Sequence, residues 1–76
     1  MNNTLLSYGQ KAVGLSFNPS NSSEVDRVKR LFAEVIDEMV AVRGTETSEK
    51  ARLASIAITQ AQTAQMWAVK AVTWKD

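Results

Sequence analysis

Three carboxylates, Glu34, Asp37 and Glu38, lie within five residues of one another in a segment with helical periodicity. Such a cluster can hold a divalent cation or divide the roles of general acid and general base, as in a metal-dependent hydrolase. The chain has no histidine and no cysteine, the residues most used for proton transfer, nucleophilic attack and transition-metal binding. The plainer interpretation, a solvated helix face, is favoured. We therefore predict no catalytic residue, no metal site and no cofactor.

A second group combines one aromatic residue with several basic ones. Tyr8 is followed one helical turn later by Lys11, and Arg27 and Lys29 come after a segment rich in Asn and Ser. An aromatic face, cationic groups and amides are together what a base and a phosphate require. Alternatively, Tyr8 is a core residue and the basic residues only keep the chain soluble, and composition alone favours this alternative.

A third group, Arg52, Ser55 and Thr59, is spaced so that its members share one side of a helix. In an oligomer these side chains can meet around a symmetry axis and form a polar pocket for an anion. The plainer interpretation is a hydrophilic stripe whose hydroxyl groups bond to the preceding turn of the helix. The residues by themselves favour the stripe.

Length and charge limit what these groups can serve. The 76 residues predict one domain over 1–76, and the net charge of +1 is too small for the basic footprint of a duplex nucleic-acid binder. A domain this small is marginally stable without disulfides, metals or partner subunits. Because cysteine and histidine are absent, partner subunits are the remaining option, so the sequence favours a homo-oligomer.

Neither secretion nor membrane insertion is predicted. The first six residues lack the basic region of a signal peptide. The longest uncharged run, 53–69, contains five Thr or Gln residues and is shorter than the roughly 18 apolar residues of a membrane span. We predict a cytoplasmic protein without a membrane partner.

The pattern of apolar residues predicts an all-α fold, in which a short N-terminal helix precedes a long antiparallel helical hairpin. Gly14 and Gly44 are well placed to end helices, and Phe17 is expected to pin the intervening loop to the core. Asn21 with Glu24 resembles a capping box, and Thr47 or Ser48 can cap the last helix. The predicted bounds are a helix over about 3–13, a loop over 14–22, and helices over about 23–43 and 48–74.

Each hairpin helix carries an apolar seam with alternating spacings of three and four residues. The seam of the second helix is Val25, Val28, Phe32, Val35, Met39 and Val42, widened by Leu31, Ile36 and Val40. The seam of the third helix is Leu53, Ala57, Gln60, Ala64, Trp67, Ala71 and Trp74. The third helix is the longer one, so its end is expected to overhang the second. An overhang with two tryptophans needs cover from another surface.

Three segments together resemble the phage anti-CBASS sponges, small proteins that sequester the cyclic nucleotides used as alarm signals in bacterial immunity. They are TLLSYGQKAVGLSFNPS, VDRVKRLFAEVIDEM and RLASIAITQAQTAQMWAVKAVTW, and they span nearly the whole chain. The resemblance implies a hexamer of helical hairpins, built as two interlocked trimers, in an infected bacterial host. It implies cyclic dinucleotides, of the cyclic GMP-AMP type, at subunit interfaces and cyclic trinucleotides, of the cyclic tri-adenylate type, in separate pockets.

The family's dinucleotide pocket uses a tyrosine, which Tyr8 matches, and a lysine further along the chain. Where that lysine is expected this sequence has Ser22, Ser23 and Glu24. The resemblance therefore leaves Arg27, Lys29 or Lys11 to take its place. For the trinucleotide pocket we predict Arg52, Ser55 and Thr59.

The predicted function is that of a non-catalytic sponge, which binds the messenger and releases it unchanged. The alternative is a helical, oligomeric protein-interaction module that binds a partner helix through the apolar overhang.

Overall fold

The computed structural model describes residues 5–19 and 21–76, which form three α-helices and no strand. Helix α1 spans Tyr8–Ala12, α2 spans Ser23–Arg43 and α3 spans Glu49–Val72. α1 packs against α2, and α2 packs along α3, to which a connection of only five residues joins it. Two helices in contact across so short a connection run antiparallel. The all-α prediction, with a short first helix and a helical hairpin, is confirmed.

Helix α1 is shorter than the predicted helix over about 3–13. It begins at Tyr8 because Ser7 and Gln10 form a capping box, in which each side chain accepts a hydrogen bond from the other residue's backbone N–H. Residues 3 and 4 of the predicted helix lie outside the described residues. The helix ends before Gly14, whose φ of 66° lets the N–H groups of Gly14 and Leu15 turn back onto carbonyls of α1.

The beginning of α2 corrects the predicted capping box. Ser22, not Asn21, caps this helix, and its hydroxyl accepts the N–H of Val25 at 3.2 Å. Asn18 fixes Ser22 in place, since its side chain bonds both the N–H and the carbonyl of Ser22. Asn21 is left in the turn, with a φ of 54°. The other end is as predicted, because Gly44 follows Arg43 with a φ of 60°.

Of the two candidate caps for α3, Ser48 is the one used, and its hydroxyl accepts the N–H of Ala51 at 3.1 Å. The helix ends at Val72, two residues before the predicted end. Thr73 lies at this end, and its hydroxyl donates at 2.7 Å to the carbonyl of Val69, the oxygen that also accepts the Thr73 N–H. None of the helices in the described part of the chain is long and apolar enough to cross a membrane.

The predicted seam of α3 is wrong, because the helix turns a different face toward α2. The buried positions on α3 again follow spacings of three and four and are Ala51, Ala54, Ile58, Ala61 and Gln65. Leu53, Gln60 and Trp67, which we placed on the seam, are exposed, Trp67 by 65%. Alanine allows the helix backbones to approach closely, and the large apolar side chains are left on the outer surface.

The core is small and lies where all three helical segments meet. It consists of Val13, Leu15, Ala33, Ile36, Ile58 and Ala61, with Phe32 and Met39 packed partly against it. On α2, Ile36 is fully buried whereas the seam residue Val35 is half exposed. The loop after α1 is pinned by Leu15, and the prediction that Phe17 does so is wrong, since that ring is 72% exposed.

The molecule is flat, with extents of 44, 34 and 12 Å along its principal axes. A thickness near the diameter of one helix with its side chains means that the helices form a single layer. One layer cannot enclose a core on both faces, so large apolar side chains remain in solvent. On α2 and α3 these include Leu31, Val35, Leu53, Ile56, Met66 and Trp67.

Candidate ligand-binding sites

The outer surface of α1 carries Tyr8 and Lys11. Both side chains are exposed, the Tyr8 ring by half, and their spacing of three residues places them on the same side of the helix. Gly9, between them, is buried against α2. Tyr8 is therefore not the core residue of the plainer interpretation. The geometry offers an aromatic face and an ammonium group to solvent together.

Helix α1 is held on α2 by an unusually close contact. The N–H of Gly9 donates to Asp37 Oδ1 at 2.7 Å, which places a carboxylate at the positive end of the α1 dipole. A Cβ atom on Gly9 would lie 2.7 Å from this oxygen and closer still to the carbonyl oxygen of Ala33. Glycine is required here by the approach of the two backbones.

Lys29 lies behind the loop and is only 6% exposed. Its ammonium group donates to the carbonyl of Gly14 at 3.0 Å and also to the carbonyl of Phe17, and Nζ lies 5.6 Å from the centre of the Phe17 ring. A phosphate would have to compete with both carbonyls for this ammonium group. Arg27, by contrast, is exposed on α2.

The loop that follows α1 presents a second aromatic ring that the sequence did not single out as a site residue. The backbone of Phe17 is held at two points. Its N–H donates to the carbonyl of Gly14 at 2.9 Å, and its carbonyl accepts a hydrogen bond from the ammonium group of Lys29. Its ring nevertheless remains in solvent. An aromatic residue within a cluster of turn-forming residues is the sequence signal that could have revealed this ring. The same signal also fits a loop whose aromatic residue packs into the core, which is how we interpreted it.

The third predicted group is brought together only in part. Arg52 and Ser55 line an open hollow of about 460 Å³ beside the hairpin turn, and Thr59 is exposed elsewhere on α3. Arg43, which the sequence analysis did not include, also lines this hollow and donates to the Ser55 hydroxyl at 3.4 Å. Two arginines and a serine thus line the hollow beside the turn, and the acidic residue Glu46 lines it as well.

Arg52 is paired with Glu49 in the first turn of α3, through contacts of 2.9 and 2.6 Å. The Arg52 guanidinium lowers the pKa of the Glu49 carboxyl, and Glu49 in turn raises the pKa of Arg52. Both side chains are exposed, so this pair exchanges readily with solvent and salt. An incoming phosphate can therefore displace Glu49 from Arg52 at little cost.

Replacing Arg52 with Gln is expected to return the pKa of Glu49 upward to its ordinary value. In the native chain the pair is intact at neutral pH and is lost as the pH falls through the lowered pKa of Glu49. An NMR titration of the Glu49 carboxyl carbon in the native chain and in the variant measures both values. An unchanged Glu49 pKa in the variant would mean that Arg52 is not its partner in solution.

The three carboxylates of the acidic cluster on α2 do not converge on one point. Asp37 is engaged by the N–H of Gly9, whereas Glu34 and Glu38 are exposed. Across residues 5–19 and 21–76, no three Asp or Glu side chains come together in a way that could hold a metal ion. Of these three carboxylates, Asp37 has a partner on another helix, and its contact with Gly9 docks α1 on α2.

Comparison with known proteins gives one match. The family model described as "Acb2/Tad1, hairpin domain" matches residues 10–73, which include the end of α1, the loop and the whole helical hairpin. No curated protein and no solved structure gives a significant match. A match over most of the chain, together with the observed helical hairpin, establishes the family. The chain belongs to the Acb2/Tad1 hairpin family, the anti-CBASS sponge family that its sequence resembles.

Proposed function

We propose that this protein is a non-catalytic sponge, which sequesters cyclic dinucleotides and cyclic trinucleotides and thereby blocks CBASS-type immunity in the cytoplasm of an infected bacterium. The observation that carries the proposal is the exposed pair of Tyr8 and Lys11 on a helix docked firmly to α2. Membership of the sponge family supports it.

The dinucleotide site is built around α1. A base stacks on the exposed ring of Tyr8, and such stacking contributes about 1–3 kcal/mol. Lys11 and Arg27, both exposed, supply positive charge for the phosphates, and Lys29 reinforces this charge from behind the loop. The ring of Phe17 adds a second apolar face.

The trinucleotide site uses the hollow beside the hairpin turn. Arg52 and Ser55 contribute as predicted, and Arg43 adds a second guanidinium to the same hollow. Thr59 lies about one turn further along α3 and contacts the ligand only where copies of the helix meet. This site therefore depends on assembly, as does the dinucleotide site, which the family resemblance puts at subunit interfaces.

The assembly that we propose is a homo-hexamer of two interlocked trimers. Its support is the flat, single-layer subunit and the large apolar side chains that it leaves in solvent on α2 and α3. Covering an exposed Trp67 or Leu31 stabilises an assembly by about 25 cal/mol for each Å² of apolar surface removed from water. Light scattering is expected to give six subunits per particle, and a monomer would contradict the assembly.

Sequestration requires no chemistry. A sponge present in excess of its ligand, with a dissociation constant below the effector's threshold, holds the free messenger below that threshold by mass action. The ligand is then recovered intact when the protein is denatured. Chromatography of the released ligand, after incubation with Mg²⁺ or Mn²⁺, checks this and separates a sponge from a metal-dependent hydrolase.

Replacing Tyr8 with Ala is expected to weaken cyclic GMP-AMP binding by about 5- to 150-fold, the loss of one stacked base. Affinity for cyclic tri-adenylate should stay within about twofold, because Tyr8 does not line the hollow beside the hairpin turn. Calorimetry with both ligands measures this, and Tyr8→Phe, which keeps the aromatic face, serves as the matched control. If the native protein gives no binding heat with cyclic GMP-AMP and none with cyclic tri-adenylate, the sponge function is refuted.

A second candidate function is a protein-interaction module that binds a partner helix. The observation that favours it is the exposed group of Met66, Trp67 and Trp74 near the end of α3. It predicts a monomer or dimer whose tryptophan fluorescence is quenched by acrylamide as in free solution. Shielded tryptophans in a hexamer would reject this function and agree with the sponge.

A further inference from the structure

We propose that Asp37 and Lys29 form a two-point clamp on α2, which holds α1 and the following loop in the position that the ligand uses. Both are positioning residues of the dinucleotide site, acting through Tyr8 and Lys11 without needing to touch the ligand. The proposal rests on the proposed function for the identity of the ligand, whereas the clamp itself is defined by contacts within the chain.

Helix α1 cannot hold its own shape. It has five residues, far fewer than the roughly 12–15 that an isolated helix needs for even marginal stability in water. Its orientation therefore depends on what α2 provides. Since Tyr8 and Lys11 are in solvent, their own side chains contribute little to this docking.

The two clamp residues act at opposite ends of α1. Asp37 accepts the N–H of Gly9 in the first turn, and Lys29 donates to the carbonyl of Gly14 just beyond the last turn. They are eight residues apart on α2, or about 12 Å along its axis. The negative group meets the positive end of the α1 dipole and the positive group meets the negative end.

Lys29 also carries the clamp into the loop. Its second bond, to the carbonyl of Phe17, closes the turn between Gly14 and Phe17 around a buried ammonium group. A buried charge that loses its acceptors is costly, so the loop and the lysine hold each other in place. The clamp thus holds both α1, which carries Tyr8 and Lys11, and the loop, which carries Phe17.

The experiment uses the full chain with 3-fluorotyrosine at Tyr8, which is the only tyrosine. Asp37→Ala and Lys29→Met remove one clamp point each. Glu38→Ala and Arg30→Met make the same changes of charge at exposed neighbours. The readouts are the ¹⁹F chemical shift, calorimetry with cyclic GMP-AMP and with cyclic tri-adenylate, and helix content by circular dichroism.

Each clamp variant is expected to move the ¹⁹F resonance toward that of an unstructured peptide. Each should also weaken cyclic GMP-AMP binding by about tenfold or more, as the loss of a charged hydrogen bond implies. Helix content and cyclic tri-adenylate affinity should stay at the level of the controls. Asp37→Asn, which keeps an acceptor oxygen, should restore most of the ¹⁹F shift and of the affinity.

An unchanged resonance, or an affinity equal to that of the control variants, would overturn the clamp. So would equal weakening of both ligands together with loss of helix, because that pattern denotes general unfolding. If the native protein binds neither ligand, the proposed function fails, and the ¹⁹F shifts of Asp37→Ala and Lys29→Met alone then support or overturn the clamp.

Discussion

Alanine at position 9 is expected to destabilise the protein by about 2 kcal/mol, even though alanine is the better helix former by about 1 kcal/mol. The new methyl group would meet the carbonyl oxygen of Ala33 and Asp37 Oδ1 inside the distance at which Cβ atoms are found. Ala33 is buried in the core of α2, so its backbone cannot move aside. Helix α1 must shift instead, and Tyr8 shifts with it.

Thermal unfolding at fixed protomer concentration measures the effect of Gly9→Ala, which corresponds to a Tm lower by about 8–16 °C for a domain of this size. Lys11→Ala is the control for stability, since it changes helix propensity at an exposed position of the same helix. Weaker cyclic GMP-AMP binding should accompany the loss of stability. A Gly9→Ala protein as stable as the native chain would mean that α1 does not approach α2 so closely in solution.

Replacing Ile36 with Ala is expected to cost about 2–4 kcal/mol of unfolding free energy, the usual range for emptying a well-packed site. Ile36 has no exposed surface and contributes to the core that joins α2, α3 and the turn after α1. The substitution leaves a cavity, and a core with so few large side chains has few neighbours that can move to fill it. The corresponding drop in Tm is about 8–32 °C.

Val35→Ala is the comparison, because Val35 is half exposed in the subunit and its truncation should cost the subunit itself less than about 0.5 kcal/mol. Chemical denaturation of both variants at one protomer concentration separates them. If Val35→Ala proves as costly as Ile36→Ala, then Val35 is buried between subunits, and a dependence of its Tm on protein concentration shows this directly. Equal and negligible effects would contradict the core described above.

The helix ends show how far local chemistry reaches. Gly44 was identifiable as a terminator, and the cap of α3 could be narrowed to Thr47 or Ser48, because such effects act within one turn of the backbone. Ser22 was missed in favour of Asn21, because the choice between neighbouring cap residues depends on Asn18, whose side chain holds the backbone of Ser22. A contact that closes a loop is not visible in the spacing of residues.

The face of α3 that meets α2 was not predictable from periodicity. Alanine recurs around nearly the whole helix, so several stripes with spacings of three and four residues were equally regular. We chose the stripe with the largest apolar residues, including Leu53 and Trp67. The hairpin instead uses the stripe of Ala51, Ala54 and Ile58, since small side chains let the two backbones approach.

The sequence by itself determined the helical class and the hairpin, because these depend on composition and on the period of the apolar residues. The resemblance of three of its segments identified the family. Only the tertiary structure decided the roles of Asp37 and Lys29. Asp37 lies 28 residues from its partner Gly9, and Lys29 lies 15 residues from its partner Gly14. An acidic helix face in solvent and one that binds α1 have the same residue types and the same spacing. They differ only in whether the fold places another backbone, here that of Gly9, in contact with the carboxylate.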